Sequence, residues 1–194
     1  MSGGIRRKGI RAGLAAALTA GLLACASVPQ RPGPVQYLDR DTGVTFLVAA
    51  RPLIFAHPRP QSAARVRDYA TVAAASLDRN GRSRYVLLIY FWSTLDPRDE
   101  PGARDNAGDV MLLADDRRIR LRPISGPAQP LPPIDRPPGR PAVAGIYGTD
   151  LRTLRYLLLA RYLSLVRPGA RGETRFELWD DERASLAALV RSAW

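Results

Sequence analysis

The run YATVAAASLD (69–78), RNGR (79–82), SRYVLLIYFWST (83–94) decides how this chain is read. Asn80-Gly81 sits between two apolar stretches, and both residues tolerate the positive φ that a two-residue hairpin turn demands. Within the second stretch, YVLLIYFW (85–92) is apolar without a break. Such a run suits an interior strand covered on both faces, because an exposed edge this apolar would invite pairing with other chains. The spacing therefore predicts an antiparallel hairpin at the heart of the fold.

Similar signals spread outward from it. VQYLDR (35–40) and VTFLVAA (44–50) flank the turn Asp41-Thr42-Gly43, and PLIFAH (52–57) is a third strand. DVMLLA (109–114) and RIRLRPI (118–124) flank Asp115-Asp116-Arg117 as another hairpin. After the strand AVAGIY (142–147), Thr149 or Asp150 is expected to cap a helix with Leu151, Leu154 and Leu158 on one face. YLSLVRP (162–168) and TRFELWD (174–180) read as strands joined through a turn at Gly169 to Gly172. Asp180 and Asp181 are expected to open a last helix, where negative charge complements the helix dipole. Leu186, Leu189, Val190 and Trp194 supply its apolar stripe. Two polar segments interrupt the strands: a charged loop at 96–108, and residues 123–141, whose eight prolines cannot donate to a ladder. The order implies an α+β fold, mainly antiparallel sheet or sandwich, with two helices in the C-terminal third.

The 194 residues suit one globular domain, expected over 35–194. The formal charge is +11, and four of those charges, Arg6, Arg7, Lys8 and Arg11, precede the apolar segment AGLAAALTAGLLA (12–24). Thirteen apolar residues are too few for a permanent span, which needs about 20, but they match the core of an export signal. Cys25 is the only cysteine, so an internal disulfide and a thiolate metal site are both excluded.

Leu22-Leu23-Ala24-Cys25 resembles the lipobox of bacterial lipoproteins. The resemblance implies that residues 1–24 are a signal removed before Cys25, and that the cysteine sulfur carries a diacylglycerol. Removing four bases from +11 leaves +7 on the mature chain. Ala24-Cys25-Ala26 also fits an ordinary signal-peptidase site, which would release a soluble periplasmic protein. The two products differ physically, since two or more acyl chains anchor stably. Residues 25–34, with three prolines and a glycine, read as the lipidated cysteine and an extended tether. Ala26 after the cysteine implies outer-membrane delivery under the enterobacterial sorting rule. From DVMLLADDRRIRLRP onward, the order strand, helix, hairpin, helix loosely resembles the C-terminal half of invasion-associated locus B-like periplasmic domains. That resemblance transfers no functional residue.

Chemistry-bearing patterns are sparse. His57, the single histidine, ends a strand before Pro58, and a structural role is expected for it. With no second histidine and no nucleophile elbow, zinc and serine-hydrolase chemistry lack their parts. Asp115-Asp116 and Asp180-Asp181 occupy turn and helix-start positions that aspartate favours for its own backbone bonds. No enclosed pocket is expected to gather two carboxylates. Tyr90, Trp92, Trp179 and Trp194 are expected in the core, and Gly145-Ile146-Tyr147-Gly148 as a close-packed strand exit. Arg118, Arg120 and Arg122 alternate with Ile119 and Leu121, so a strand would carry three guanidiniums on one face. They form either a solvated face or a site for lipid headgroups and lipopolysaccharide phosphates.

The expectation is a non-enzymatic, lipid-anchored envelope protein without cofactor, facing the periplasm from the outer membrane. It would contact the membrane through its anchor and bind an envelope protein or support envelope assembly. An accessory binder of anionic envelope ligands is the alternative. Nucleic acid is not an expected partner for an exported chain, whatever its charge.

Overall fold

A computed structural model describes residues 33–59, 66–94, 108–124, 143–169 and 172–192. The strands are β1 (Val35–Asp39), β2 (Val44–Val48), β3 (Leu53–Pro58), β4 (Arg67–Arg79), β5 (Arg82–Ser93), β6 (Val110–Ala114), β7 (Arg117–Leu121) and β8 (Val143–Thr149). Helix α1 (Leu151–Leu159), β9 (Leu163–Gly169), β10 (Gly172–Asp180) and α2 (Arg183–Arg191) follow. The chain is thus mostly antiparallel sheet with two helices near its C-terminus. Cys25, the proline-rich stretch after Ile124 and Trp194 lie outside the described residues, as do the 96–108 loop up to Ala107 and nearly all of the tether.

The Asn80-Gly81 turn forms as the sequence predicts, with φ of 57° and 75°. It joins two long strands that pair over their whole length, from Asp68↔Ser93 to Arg79↔Arg82. β5 also pairs with β8, so YVLLIYFW is interior, and Val86 through Phe91 are buried on both faces.

The free edge of β4 is shared. Its C-terminal half pairs with β2, from Thr45↔Asp78 to Val48↔Ala75. Its N-terminal half pairs with β3, from Leu53↔Val72 to Pro58↔Arg67. β1 continues outward from β2, whereas β3 leads to β10, β9, β6 and β7 in turn. Just past β7, Pro123 bridges Tyr147 of β8, and the Ile124 N–H donates to the Ile146 carbonyl at 2.7 Å. Eight strands therefore close on themselves in the order β4-β5-β8-β7-β6-β9-β10-β3. The expectation left sheet and sandwich open; all ten described strands belong to one sheet, and most of it curls into a barrel. Closure leaves fewer unpaired edges than a sandwich would.

Two-residue alternation decides what fills the barrel. Phe55, Ala70, Val72, Leu87, Ile89, Leu112, Tyr147, Leu165 and Phe176 join one buried cluster. On the opposite face of β4 and β5, Ala73, Ala75, Leu77, Val86, Leu88 and Tyr90 pack with Val44, Phe46 and Val48 of β2.

Both helices add to the inner cluster through Leu154, Leu157, Leu186 and Leu189. They lie where β8 and β10 end and close that mouth of the barrel. The Tyr156 hydroxyl donates to the Ala114 carbonyl at 3.5 Å, and the Arg51 N–H to Ser185 Oγ at 2.8 Å. Only about 10 Å³ of void remains among Leu53, Leu157 and Leu186. Fully burying one such leucine contributes about 1.5–3 kcal/mol.

Asp150 caps α1, its carboxylate accepting the Thr153 N–H at 2.6 Å. The buried face of α1 centres on Leu154 and Leu157, with Leu151 and Leu158 only partly covered. The last helix corrects an expectation. Asp180 closes β10 rather than opening α2, and Glu182 occupies the N-cap position without a side-chain cap bond. Asp181 still serves the helix start, accepting the Arg183 N–H at 3.2 Å and pairing with the Arg183 guanidinium. Leu186, Leu189 and Val190 form the buried stripe as expected.

Candidate functional site

β7 presents Arg118 and Arg120 outward, with Arg122 exposed just past its end, while Ile119 and Leu121 face the core. The three guanidiniums do not act as one row. Arg120 donates through Nε to Asp109 Oδ2 at 2.8 Å, and a second nitrogen reaches the same oxygen. Arg122 is exposed beyond it. Arg118 alone borders a groove of about 410 Å³ on the outer wall of the barrel.

That groove is built from four strands. Leu113 comes from β6, Arg118 from β7, Ser164 from β9, and Arg175 and Glu177 from β10. The hairpin residues Asp115 and Asp116 border it, and Tyr162, just before β9, stands beside them. Ser164 is nearly fully buried, at 2% exposure, whereas Tyr162 is 66% exposed. The charges are mixed and mostly committed. Arg175 Nε pairs with Glu177 Oε1 at 2.7 Å. Asp115, in left-handed backbone at φ 49°, accepts the N–H groups of Tyr162 at 2.8 Å and Arg161 at 3.2 Å. Asp116 and Arg118 make no ion pair with any described residue.

Three carboxylates thus border one groove, but all three are exposed. Asp115-Asp116 and Asp180-Asp181 lie on different segments, the β6–β7 hairpin and the β10–α2 junction, and Arg183, which pairs with Asp181, also feels the charge of Asp115. Among the described residues, no group of three His, Cys, Asp or Glu side chains could hold a metal ion.

His57 stands on the inner side of β3, near the barrel mouth opposite the helices. Its Nδ1 lies 2.8 Å from the Arg175 carbonyl. A carbonyl only accepts, so Nδ1 carries the proton. The ring lies 5.8 Å from that of Phe176, which is 5.7 Å from Phe91. Arg167 rests on Phe91 at 4.7 Å. Deeper in the barrel, the buried Tyr147 donates its hydroxyl to the Gly108 carbonyl at 3.0 Å. Burial pushes its pKa up to about 12.

Two further groups are tuned by local bonds. Hydrogen bonds from Thr153 hold Asp150 below the usual carboxylate range. The Arg183 guanidinium does the same for Asp181.

The aromatic expectation holds for Tyr90, which is buried, but only in part for Trp92, which is half-buried and belongs to neither core cluster. It fails for Trp179, which is 57% exposed. The register of β10 against β3 shifts between Leu178 and Asp180, and Trp179 is the extra residue of that irregularity. A bulge of this kind re-aims a side chain. Sequence reasoning also missed Tyr162, Ser164, Arg175 and Glu177. Alternation in TRFELWD does put Arg175 and Glu177 on one face, but nothing local says that β10 lies two strands from β6.

No family model, no curated protein and no solved structure matches this chain.

Proposed function

We propose that this is a non-catalytic, lipid-anchored protein of the cell envelope that binds another envelope protein on the outer wall of its barrel. Cys25 is the anchor, residues 1–24 are the export signal, and the outer membrane facing the periplasm is the location. The folded part is read as an α+β domain of residues 35–194.

The observation that carries the reading is the mixed charge of the groove. Arg118 and Arg175 face Asp115, Asp116 and Glu177 around the exposed ring of Tyr162. A phosphate would meet three carboxylates there, whereas a protein surface offers both signs and a pocket for the ring. Exposed tyrosine and arginine are favoured anchors at protein interfaces. The bound partner is expected to crosslink from Tyr162 when a photoreactive residue replaces it in the native envelope. An unaltered crosslinking pattern after Arg118→Glu would sink the groove as the docking site. The anchor has its own test: Cys25→Ser should abolish palmitate labelling and move the protein out of the membrane pellet.

A second reading, an accessory binder of anionic envelope ligands, draws on Arg118 and Arg122, neither of which is ion-paired with a described residue. It requires binding to anionic vesicles that falls steeply with salt and weakens in the Arg118→Ala, Arg122→Ala double variant.

A further inference from the structure

Beside the groove, the outer wall continues from β10 across β3 and β4 to β5. The strand register aligns Glu177, Ala56, Tyr69 and Trp92 in one row across these four strands. Tyr69 and Trp92 stack on each other, with ring centroids 4.2 Å apart and planes 13° apart. The Trp92 indole N–H donates to Thr71 Oγ1 at 3.0 Å, which fixes the ring. On β10, Trp179 is more than half exposed, and the Arg67 guanidinium lies 4.0 Å over its ring. Between the two aromatic groups β3 contributes Ile54, Ala56 and Pro58, which share the outer face.

Exposed tryptophan is costly unless something covers it, and both of these rings are already held in place. A fixed aromatic loses little freedom when a ligand lands on it. The faces of such rings are electron-rich and attract the weakly positive C–H groups of a saturated ring. Around the rings stand Arg67, Arg175 and Glu177, whose donors and acceptors suit hydroxyls and carboxylates. Ile54, itself half-buried, is the one branched aliphatic side chain that β3 adds there, too little apolar surface to hold an acyl chain.

We propose that this wall binds a glycan: a chain of pyranose rings, with Trp179 and the Tyr69–Trp92 pair as stacking anchors and Arg67 and Arg175 taking ring carboxylates or hydroxyls. The strands that carry Trp179 and Trp92 lie three inter-strand steps of about 4.8 Å apart, about 14 Å between their backbones. An oligosaccharide of several rings spans that width of the wall. This site adjoins the groove and shares Arg175 and Glu177 with it, but its stacking anchors lie outside the groove, so it does not depend on the protein-docking reading.

The test uses the detergent-solubilised full chain, titrated with neutral chito-oligosaccharides of one to six rings and followed by tryptophan fluorescence. Pelleting with purified cell-wall sacculi is the second assay and reports on glycan that carries carboxylates. Saturable binding to either probe is expected. With the soluble probes it should rise with ring number and level off once the chain is long enough to reach both anchors. Trp179→Ala should weaken binding by about five- to tenfold, the effect of one aromatic contact. This variant alters an exposed side chain, so it should fold normally by circular dichroism, and Trp92→Phe tests the second anchor with most of its packing kept. The proposal is overturned if wild type binds neither probe, or if both variants bind as wild type does. Sacculus binding that disappears in salt while Trp179→Ala is unaffected would mean simple charge attraction, and would overturn it too.

Discussion

Asp115 and Tyr162 hold each other by two hydrogen bonds: the Asp115 N–H donates to the Tyr162 carbonyl at 2.9 Å, and the Tyr162 N–H donates back to Asp115 Oδ1 at 2.8 Å. This pair ties the β6–β7 hairpin to the junction between α1 and β9. It also places the Tyr162 ring at the edge of the groove. A residue in left-handed backbone usually invites glycine, but here the carboxylate has two N–H groups to receive. Asp115→Gly should therefore destabilise the fold by about 1–2 kcal/mol despite easing the backbone. Urea unfolding of the variant checks this; a midpoint at or above that of wild type would show that the backbone bond alone suffices.

The Asp150 cap should behave similarly but with a pH signature. Asp150→Ala should cost about 1 kcal/mol at neutral pH. The folded state lowers the Asp150 pKa, so its contribution is present above the ordinary carboxylate value and is lost as pH falls through the folded one. The stability difference between wild type and variant should shrink in acid. A difference that stays constant from pH 7 to pH 2 would assign the cap to something other than the ionised carboxylate.

Tyr147 predicts the opposite end of the pH scale. Its folded pKa of about 12 lies above the ordinary 10. Its neutral form thus stabilises the fold fully below pH 10, and that stability is lost as pH rises from about 10 to 12. The loss should approach about 3 kcal/mol. Tyr147→Phe leaves the Gly108 carbonyl without its partner and should cost about 1 kcal/mol at neutral pH. In alkali the variant should overtake wild type. Parallel denaturation midpoints from pH 8 to pH 12 would contradict the assignment.

The plug formed by the helices can be probed through Leu189, which is fully buried. Leu189→Ala should cost about 2–5 kcal/mol, because it removes a fully buried side chain from the inner cluster and leaves a cavity there. A loss under 1 kcal/mol, read from thermal or urea unfolding, would mean that α2 is only loosely docked on the barrel.

The hairpins and their faces were legible in the linear chain. Asn80-Gly81 needs only two residues with the right φ preference, and alternation in RIRLRP assigns Arg118 and Arg120 outward without reference to anything distant. Asp150 announces its helix for the same reason, since capping acts over three residues. The helix start at 181–183 was misread because Asp180 satisfies a strand end as readily as a cap. Leu157 was missed because an apolar row of three adjacent leucines does not say which face will meet α2.

What no local pattern could supply is the neighbour of each strand. β3 and β2 both fit the edge of β4 by composition; which half each takes depends on where the rest of the chain must go. The pairing of β10 with β3 joins Glu177 to Ala56, and the Pro123–Tyr147 bridge closes the ring. Strand formers pair with one another almost interchangeably, so strand order is decided by the closure that buries most apolar surface. The groove around Arg118 and the aromatic wall around Trp179 both follow from that closure. Their residues come from strands far apart in sequence, and only the folded barrel sets them side by side.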